Sequence, residues 1–432
     1  MRFFASPAYF LVIVCLISVT GFAQTKKAKE LPAAAHQLIS VTVTGSDHYK
    51  SEDVMGATGM KPGDVVNQDD LKDAARILGD SGAFTDIAYT FEYSPEGTKI
   101  QWKLKDAAHF VPVRFENFVW FTDQQLLDAV HASVRLFHGE VPAQGRMADQ
   151  VSEALQVLLA QKGLPGNVDY LRVGADDASP EALAYSVSGP SIAIRNVQFS
   201  GAGPEELPLL QSAGENLQGT PYMRSTLRTK AEKMFLPIYL QRGYLKASFG
   251  EPQAKVVSND ANEISVDTTF TVVPGRQYQL QAIELSGERD LSAETLKKVM
   301  HATLNQPANA LELNDGVAAI KQLYGTRGHL EASITCKPEI DDANDTVKYQ
   351  VHISEGAVYK MGDLEILGLD SQTSSRLQNE WTLHAGDTYD SSYAQRFLNQ
   401  AYKEIGDWRV RVEETPNEDH TVDVTLRFDS QR

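Results

Sequence analysis

The stretch Tyr239-Leu240-Gln241-Arg242-Gly243-Tyr244-Leu245-Lys246-Ala247 marks a change of period. Before it, Leu227, Ala231, Met234 and Phe235 recur mostly at steps of three and four, the spacing of one apolar helix face. After it, Leu245, Ala247 and Phe249 alternate with Tyr244, Lys246 and Ser248, the period of a strand. Gly243 sits at the junction, where a residue free to take positive φ stops a helix. Pro237 is expected to kink the end of that helix.

The same junction recurs at Gly82-Ala83-Phe84, Gly163-Leu164, Gly328-His329-Leu330 and Gly406-Asp407-Trp408. In chain order the five glycines are 81, 80, 85 and 78 residues apart. Their surroundings repeat as well. Each unit opens on alternation, as at Ile39, Val41, Val43 or Ile192, Ile194, Val197. A glycine closes it at Gly45, Gly201, Gly287 and Gly368, as a turn with positive φ requires. The second unit has Glu116-Asn117 there, and Asn117 is expected to take the same conformation. Two helical segments follow, then two strand-like runs. In the first unit these runs are Ile87, Tyr89, Phe91 and Ile100, Trp102, Leu104, joined by the turn signal Ser94-Pro95-Glu96-Gly97. The unit reads strand–helix–helix–strand–strand, an α+β pattern.

This order of elements, the unit size, the glycine after the first strand and the Gly-aromatic step resemble the POTRA (polypeptide-transport-associated) domain of BamA-type outer-membrane assembly factors. Lys61-Pro62-Gly63-Asp64 and Ala385-Gly386-Asp387 resemble the short turn which that family places between its helices. The resemblance implies five tandem units at 36–108, 109–190, 191–275, 276–356 and 357–432, each a three-stranded sheet backed by two helices. The chain stops at Gln431-Arg432, directly after the last strand of the fifth unit, so a partner is expected to supply any membrane barrel.

Residues 1–23 read differently. Arg2 precedes an apolar run from Ala8 to Val19, and Gly21-Phe22-Ala23 offers a small-residue cleavage site, the layout of a secretory signal peptide. Cleavage near Ala23 would leave a periplasmic chain with a flexible lead-in at 24–35. The alternative is an uncleaved anchor.

Forty Lys plus Arg against 57 Asp plus Glu give a net charge of −17. That balance argues against nucleic acid or an anionic membrane surface as the main partner. Two cysteines, Cys15 and Cys336, exclude a disulfide framework and a cysteine-rich zinc site. Cys336 alternates with Ile334 and reads as a packed small hydrophobe. The ten histidines form no H-E-x-x-H pair, and each reads as a surface or turn residue. The acidic run Asp341, Asp342, Asp345 lacks the glycine and spacing of a calcium loop. No catalytic constellation appears, and neither an enzyme nor a cofactor is expected.

Exposed edges of small sheets can take an added strand, and the POTRA resemblance implies capture of extended polypeptides in this way. The candidate site is the second strand of the third unit: Tyr244, Leu245, Lys246, Ala247, Ser248 and Phe249, with the N–H of Ser248 expected to face outward. The implied function is a periplasmic, outer-membrane-associated protein-binding scaffold in outer-membrane protein assembly and translocation. Its implied partners are unfolded outer-membrane polypeptides or a separate barrel assembly protein. The alternative is an envelope scaffold for division or secretion.

Overall fold

The computed structural model describes residues 33–174, 180–260, 263–405 and 408–430. The expected signal peptide, most of the lead-in and Gly406-Asp407 lie outside them. The described residues fall into two compact units: 33–112, 130–154 and 180 in the first, and 113–129, 155–174 and those from 181 onward in the second.

In the first unit, Ala33–His36 forms a 3₁₀ turn with Ala35 buried, so packing begins before the expected boundary at 36. β1 (Leu38–Thr44), α1 (Ser51–Thr58), α2 (Gln68–Ser81), β2 (Phe84–Ser94) and β3 (Gly97–Asp106) follow. The sheet order is β1-β3-β2. β1 runs parallel to β3, with Val41 beside Ile100, while β2 is antiparallel to it. One face of β3 carries the buried Ile100, Trp102 and Leu104, and α2 buries Leu71, Ala74 and Leu78. α2 starts where Asn67 accepts from the N–H of Asp69 and Asp70 (2.8 and 3.2 Å), and Asp70 accepts from Asn67 N–H in return (2.8 Å). This reciprocal cap satisfies amides that the first turn leaves unpaired.

β4 (Phe110–Phe115), α3 (Asp123–Ser133), β5 (Glu140–Pro142), α4 (Met147–Gln161), β6 (Asn167–Val173) and β7 (Ala182–Ser188) come next. Phe110–Pro112 pair with β5 in the first unit. In the second unit, Val113–Phe115 pair in parallel with β7, and β6 lies antiparallel on its other side. Asn117 is not among the positive-φ residues. Instead it is buried, with its side-chain amide donating to Val187 O (2.9 Å) and accepting from Val187 N–H (2.7 Å). Asparagine thus replaces the glycine by pairing with the strand through its side chain.

Three more sheets complete the second unit. The first holds β8 (Ser191–Ser200), α5 (Leu207–Glu215), α6 (Arg224–Lys230), α7 (Leu236–Leu240), β9 (Ser248–Phe249), β10 (Gln253–Asn259) and β11 (Glu263–Val273). Its order is β10-β11-β8, with β9 also on β11. Ala231–Phe235 forms one π turn between α6 and α7. The widened turn accommodates Pro237, which has no N–H for an α-helical bond. Next come β12 (Gln279–Ser286), α8 (Ala293–Val299), α9 (Ala310–Gly325), β13 (Ser333–Asp341) and β14 (Thr346–Ser354), ordered β12-β14-β13. The last sheet holds β15 (Lys360–Leu367), α10 (Ser371–Glu380), α11 (Tyr393–Ile405), β16 (Trp408–Pro416) and β17 (Thr421–Ser430), ordered β15-β17-β16. Each sheet has its own core, with Phe235, Tyr324 and Leu398 in successive ones. Cys336 packs against the middle of these, and burial pushes its thiol up.

Gly45, Gly201, Gly287 and Gly368 all have positive φ, between 82° and 91°. A side chain at any of them would strike a carbonyl oxygen of the central strand, that of Leu104, Val272, Ile353 or Phe428. The repeated glycine thus answers two demands, a turn conformation and a close backbone approach.

Candidate peptide-binding sheet edges

A three-stranded sheet has two outer edges, and here they are treated differently. In the first sheet the turn between the helices folds back onto β1. Leu38 N–H donates to Asp64 O (2.8 Å), Gly63 N–H to Leu38 O (2.7 Å) and Val66 N–H to His36 O (2.9 Å). The same three bonds recur on β8, where Ile194 N–H donates to Thr220 O (3.0 Å) while Gly219 and Tyr222 N–H donate to Ile194 and Ile192 (both 2.8 Å). They recur on β12 through Gln306, Asn305 and Ala308, and on β15 through Asp387, Gly386 and Tyr389. In each turn the residue that donates back to the first-strand carbonyl has positive φ: Gly63, Gly219, Asn305 or Gly386. The sequence signals around Gly63 and Gly386 are therefore edge closures as well as helix connections. Phe110–Pro112 of β4 are covered by β5 instead.

The second strands carry no such cover. Among the described residues, β2, β6, β10, β13 and β16 each pair with one neighbouring strand only. Among the described residues, the outward N–H and C=O groups of β2, β10, β13 and β16 form the unpaired row that strand addition uses, whereas on β6 the Val168 N–H donates to Gln156 Oε1 (2.8 Å). Pro338 lies in β13, as an edge strand tolerates.

The six candidate residues divide. Only Ser248 and Phe249 form a strand, β9, opposite Val273 and Val272. Tyr244 to Ala247 are a turn, closed by Tyr244 N–H to Tyr239 O and Ala247 N–H to Tyr244 O (both 3.1 Å). Their alternation has other causes. Tyr244 sets its ring edge-on to Tyr239 at 5.7 Å, Leu245 packs into the core around Tyr324, and Lys246 reaches Asp342 at 2.7 Å. The open edge lies further on, in β10, beyond Pro252. Ser248 is also corrected in direction. Gly250 N–H donates to Thr271 O (2.8 Å). Antiparallel alternation then turns Ser248 toward β11 and leaves the outward amide to Phe249. On β10 Asp260 N–H donates to Glu263 O (3.1 Å), and the bulge between Val256 and Ser258 inverts the alternation beyond it, so the outward amides belong to Ala254 and Val256.

Lys246 belongs to an exposed polar cluster. Both oxygens of Asp342 accept from its ammonium (2.7 Å), and Tyr278 Oη donates to Asp342 at 2.6 Å. The hydrogen bond from Lys246, then that from Tyr278, holds the Asp342 carboxyl below its usual range. Arg276 pairs with Asp345 at 3.0 Å. In the acidic run, Asp342 and Asp345 thus anchor Lys246, Arg276 and Tyr278. Close by, Tyr278 N–H donates to Gly243 O (2.8 Å), and a side chain at Gly243 would meet Tyr278 O at 2.7 Å. Gly328 and Tyr359 repeat both distances. The junction glycine therefore stops a helix and also seats the start of the next sheet, which helix-stop reasoning alone missed.

The POTRA family model, described as a surface antigen variable number repeat, matches residues 278–356. A putative outer membrane protein assembly factor of Treponema pallidum (strain Nichols) is 25% identical over 156 residues, 36% of this chain and 18% of that protein. The chain thus spans less than a fifth of that relative's length. Among solved structures, POTRA3-5 of Haemophilus influenzae BamA is 22% identical, with a TM-score of 0.43, covering 56% of this chain and 96% of that one. The N-terminal domain of Omp85 from Thermosynechococcus elongatus is 20% identical, with a TM-score of 0.25, covering 57% and 100%. Residues 278–356, which span β12 to β14, therefore form a POTRA domain in a chain similar to outer-membrane protein assembly factors.

Proposed function

We propose that this chain is a periplasmic protein-binding scaffold of outer-membrane protein assembly. In this reading it is built of five tandem POTRA-like modules, at 36–108, 109–190, 191–275, 276–356 and 357–432, and captures extended polypeptides or a barrel assembly protein by strand addition. The observation that carries the reading is the asymmetry of the edges. In four sheets the inter-helix turn closes the first strand with three backbone bonds, while among the described residues the second strand of each pairs only with the central strand. Main-chain pairing is largely indifferent to sequence, which suits a scaffold serving many clients. The family match and the assembly-factor relative support the cellular setting.

The test is amide hydrogen exchange with and without an unfolded outer-membrane polypeptide. Slower exchange is expected at outward amides of second strands, such as Ala254 and Val256, with none on the already bonded first strands. Polypeptide binding that slows no second-strand amide would overturn strand addition.

A further inference from the structure

A cavity of about 390 Å³ opens where the sheet of β8–β11 meets that of β12–β14. Its walls carry three carboxylates, Glu205, Glu206 and Glu312, against one guanidinium, Arg242. Glu206 is the N-cap residue of α5, yet its side chain caps no amide. That side chain is 6% exposed, and among the described residues nothing donates a hydrogen bond to its carboxylate. Arg242 Nε stands 3.8 Å away, beyond hydrogen-bonding distance, and Arg242 Nη1 donates to Ile238 O (3.0 Å) instead. A carboxylate this buried ordinarily has its oxygens satisfied.

Negative charge is left over around it. Burial, then the Glu206 and Glu205 carboxylates, push up the hydroxyl of Tyr244, which lines the cavity. Tyr239 is fully buried with its hydroxyl unpartnered, and burial and then Glu206 push it up to about 12. Glu312 lies in the first turn of α9, so the carboxylates come from helices of both sheets. The remaining lining is of two kinds. Leu280, Pro307 and Leu313 offer apolar surface, and Gln277, which donates to Arg242 O (2.8 Å), keeps its side-chain oxygen as an acceptor.

We propose that this cavity binds a primary ammonium group carried on an alkyl stem. An ammonium has three donors and no acceptor, so carboxylate and amide oxygens suit it. The apolar surface takes the methylenes, as it does for a lysine stem. The volume lies near the lower end of the range for small-ligand pockets, enough for one such chain. Two sources present this chemistry, a free diamine and a lysine side chain of another protein. The site stands apart from strand addition, because no residue of the open strand β10 or β13 lines it.

The experiment is titration calorimetry of the purified chain at physiological salt. The probes are cadaverine, an end-blocked tripeptide with lysine between two alanines, and the same tripeptide with norleucine for lysine. Saturable binding of cadaverine, of the lysine peptide or of both is expected, the tighter of the two naming the source, and none of the norleucine peptide. Glu206→Gln and Glu312→Gln should each weaken that binding about tenfold, the loss of one charged hydrogen bond, with the circular dichroism unchanged. Should Glu206→Gln fail to fold, the half-buried Glu312 decides. Asp73→Asn, an exposed acid on α2 outside the cavity, should leave affinity unchanged and so separates the site from general attraction to an acidic chain. No saturable binding of either ammonium probe, equal binding of the norleucine peptide, full affinity in Glu312→Gln or an equal loss in Asp73→Asn would overturn the site.

Discussion

Phe235 illustrates how much one ring can hold. It is fully buried and meets Phe199, Phe249 and Phe270 at centroid distances of 4.9, 5.8 and 5.3 Å. Phe235→Ala should destabilise its module by about 3–5 kcal/mol, read as a new protease-sensitive site within 191–275. Asn117→Ala leaves both backbone groups of Val187 without their buried partner, which should cost about 2 kcal/mol in urea denaturation. Asp342 carries a pH prediction. Its folded pKa is depressed, so its contribution is present above the unfolded value, about 3.9, and is lost as pH falls through the folded one. Asp342→Asn should therefore show a shallower loss of stability on acidification below that value than the parent chain. The difference should be small, because the Lys246 pair is exposed.

At the scale of elements, the reciprocal cap of α2 predicts that Asn67→Ala costs about 1 kcal/mol, measurable as a lower urea midpoint with unchanged slope. The helices and central strands were readable from sequence because their determinants are local: apolar spacing, a stopping glycine, a turn-forming Ser-Pro-Glu-Gly. The edge strand of the third sheet was misread for the opposite reason. Tyr244 to Ala247 alternate as a strand does, yet their contacts lie at Tyr239, Asp342 and the core around Tyr324. Alternation reports a difference between two sides and not what fills either. Asn117 was misplaced similarly, because its partner Val187 is 70 residues away. The edge closures were half legible: the turns were visible around Gly63 and Gly386, but not the strands onto which they fold.

At the scale of the whole chain, Gly243 and Gly328 each lie where one sheet's helix ends and the next sheet's first strand begins. Gly243→Ala would press a methyl group against Tyr278 O in a backbone with φ of 83°. It should therefore loosen that joint more than either core, appearing as an extra unfolding transition by calorimetry while each core keeps its own. The closed first edges have a separate consequence. A module with two open edges is divalent and can propagate pairing from copy to copy, as a fibril does. Closing one edge makes it monovalent. A bound strand or a second copy can occupy the remaining edge, but no further module can add behind it. The inter-helix turn thus acts as a chain terminator, leaving each of these sheets one edge for pairing instead of two.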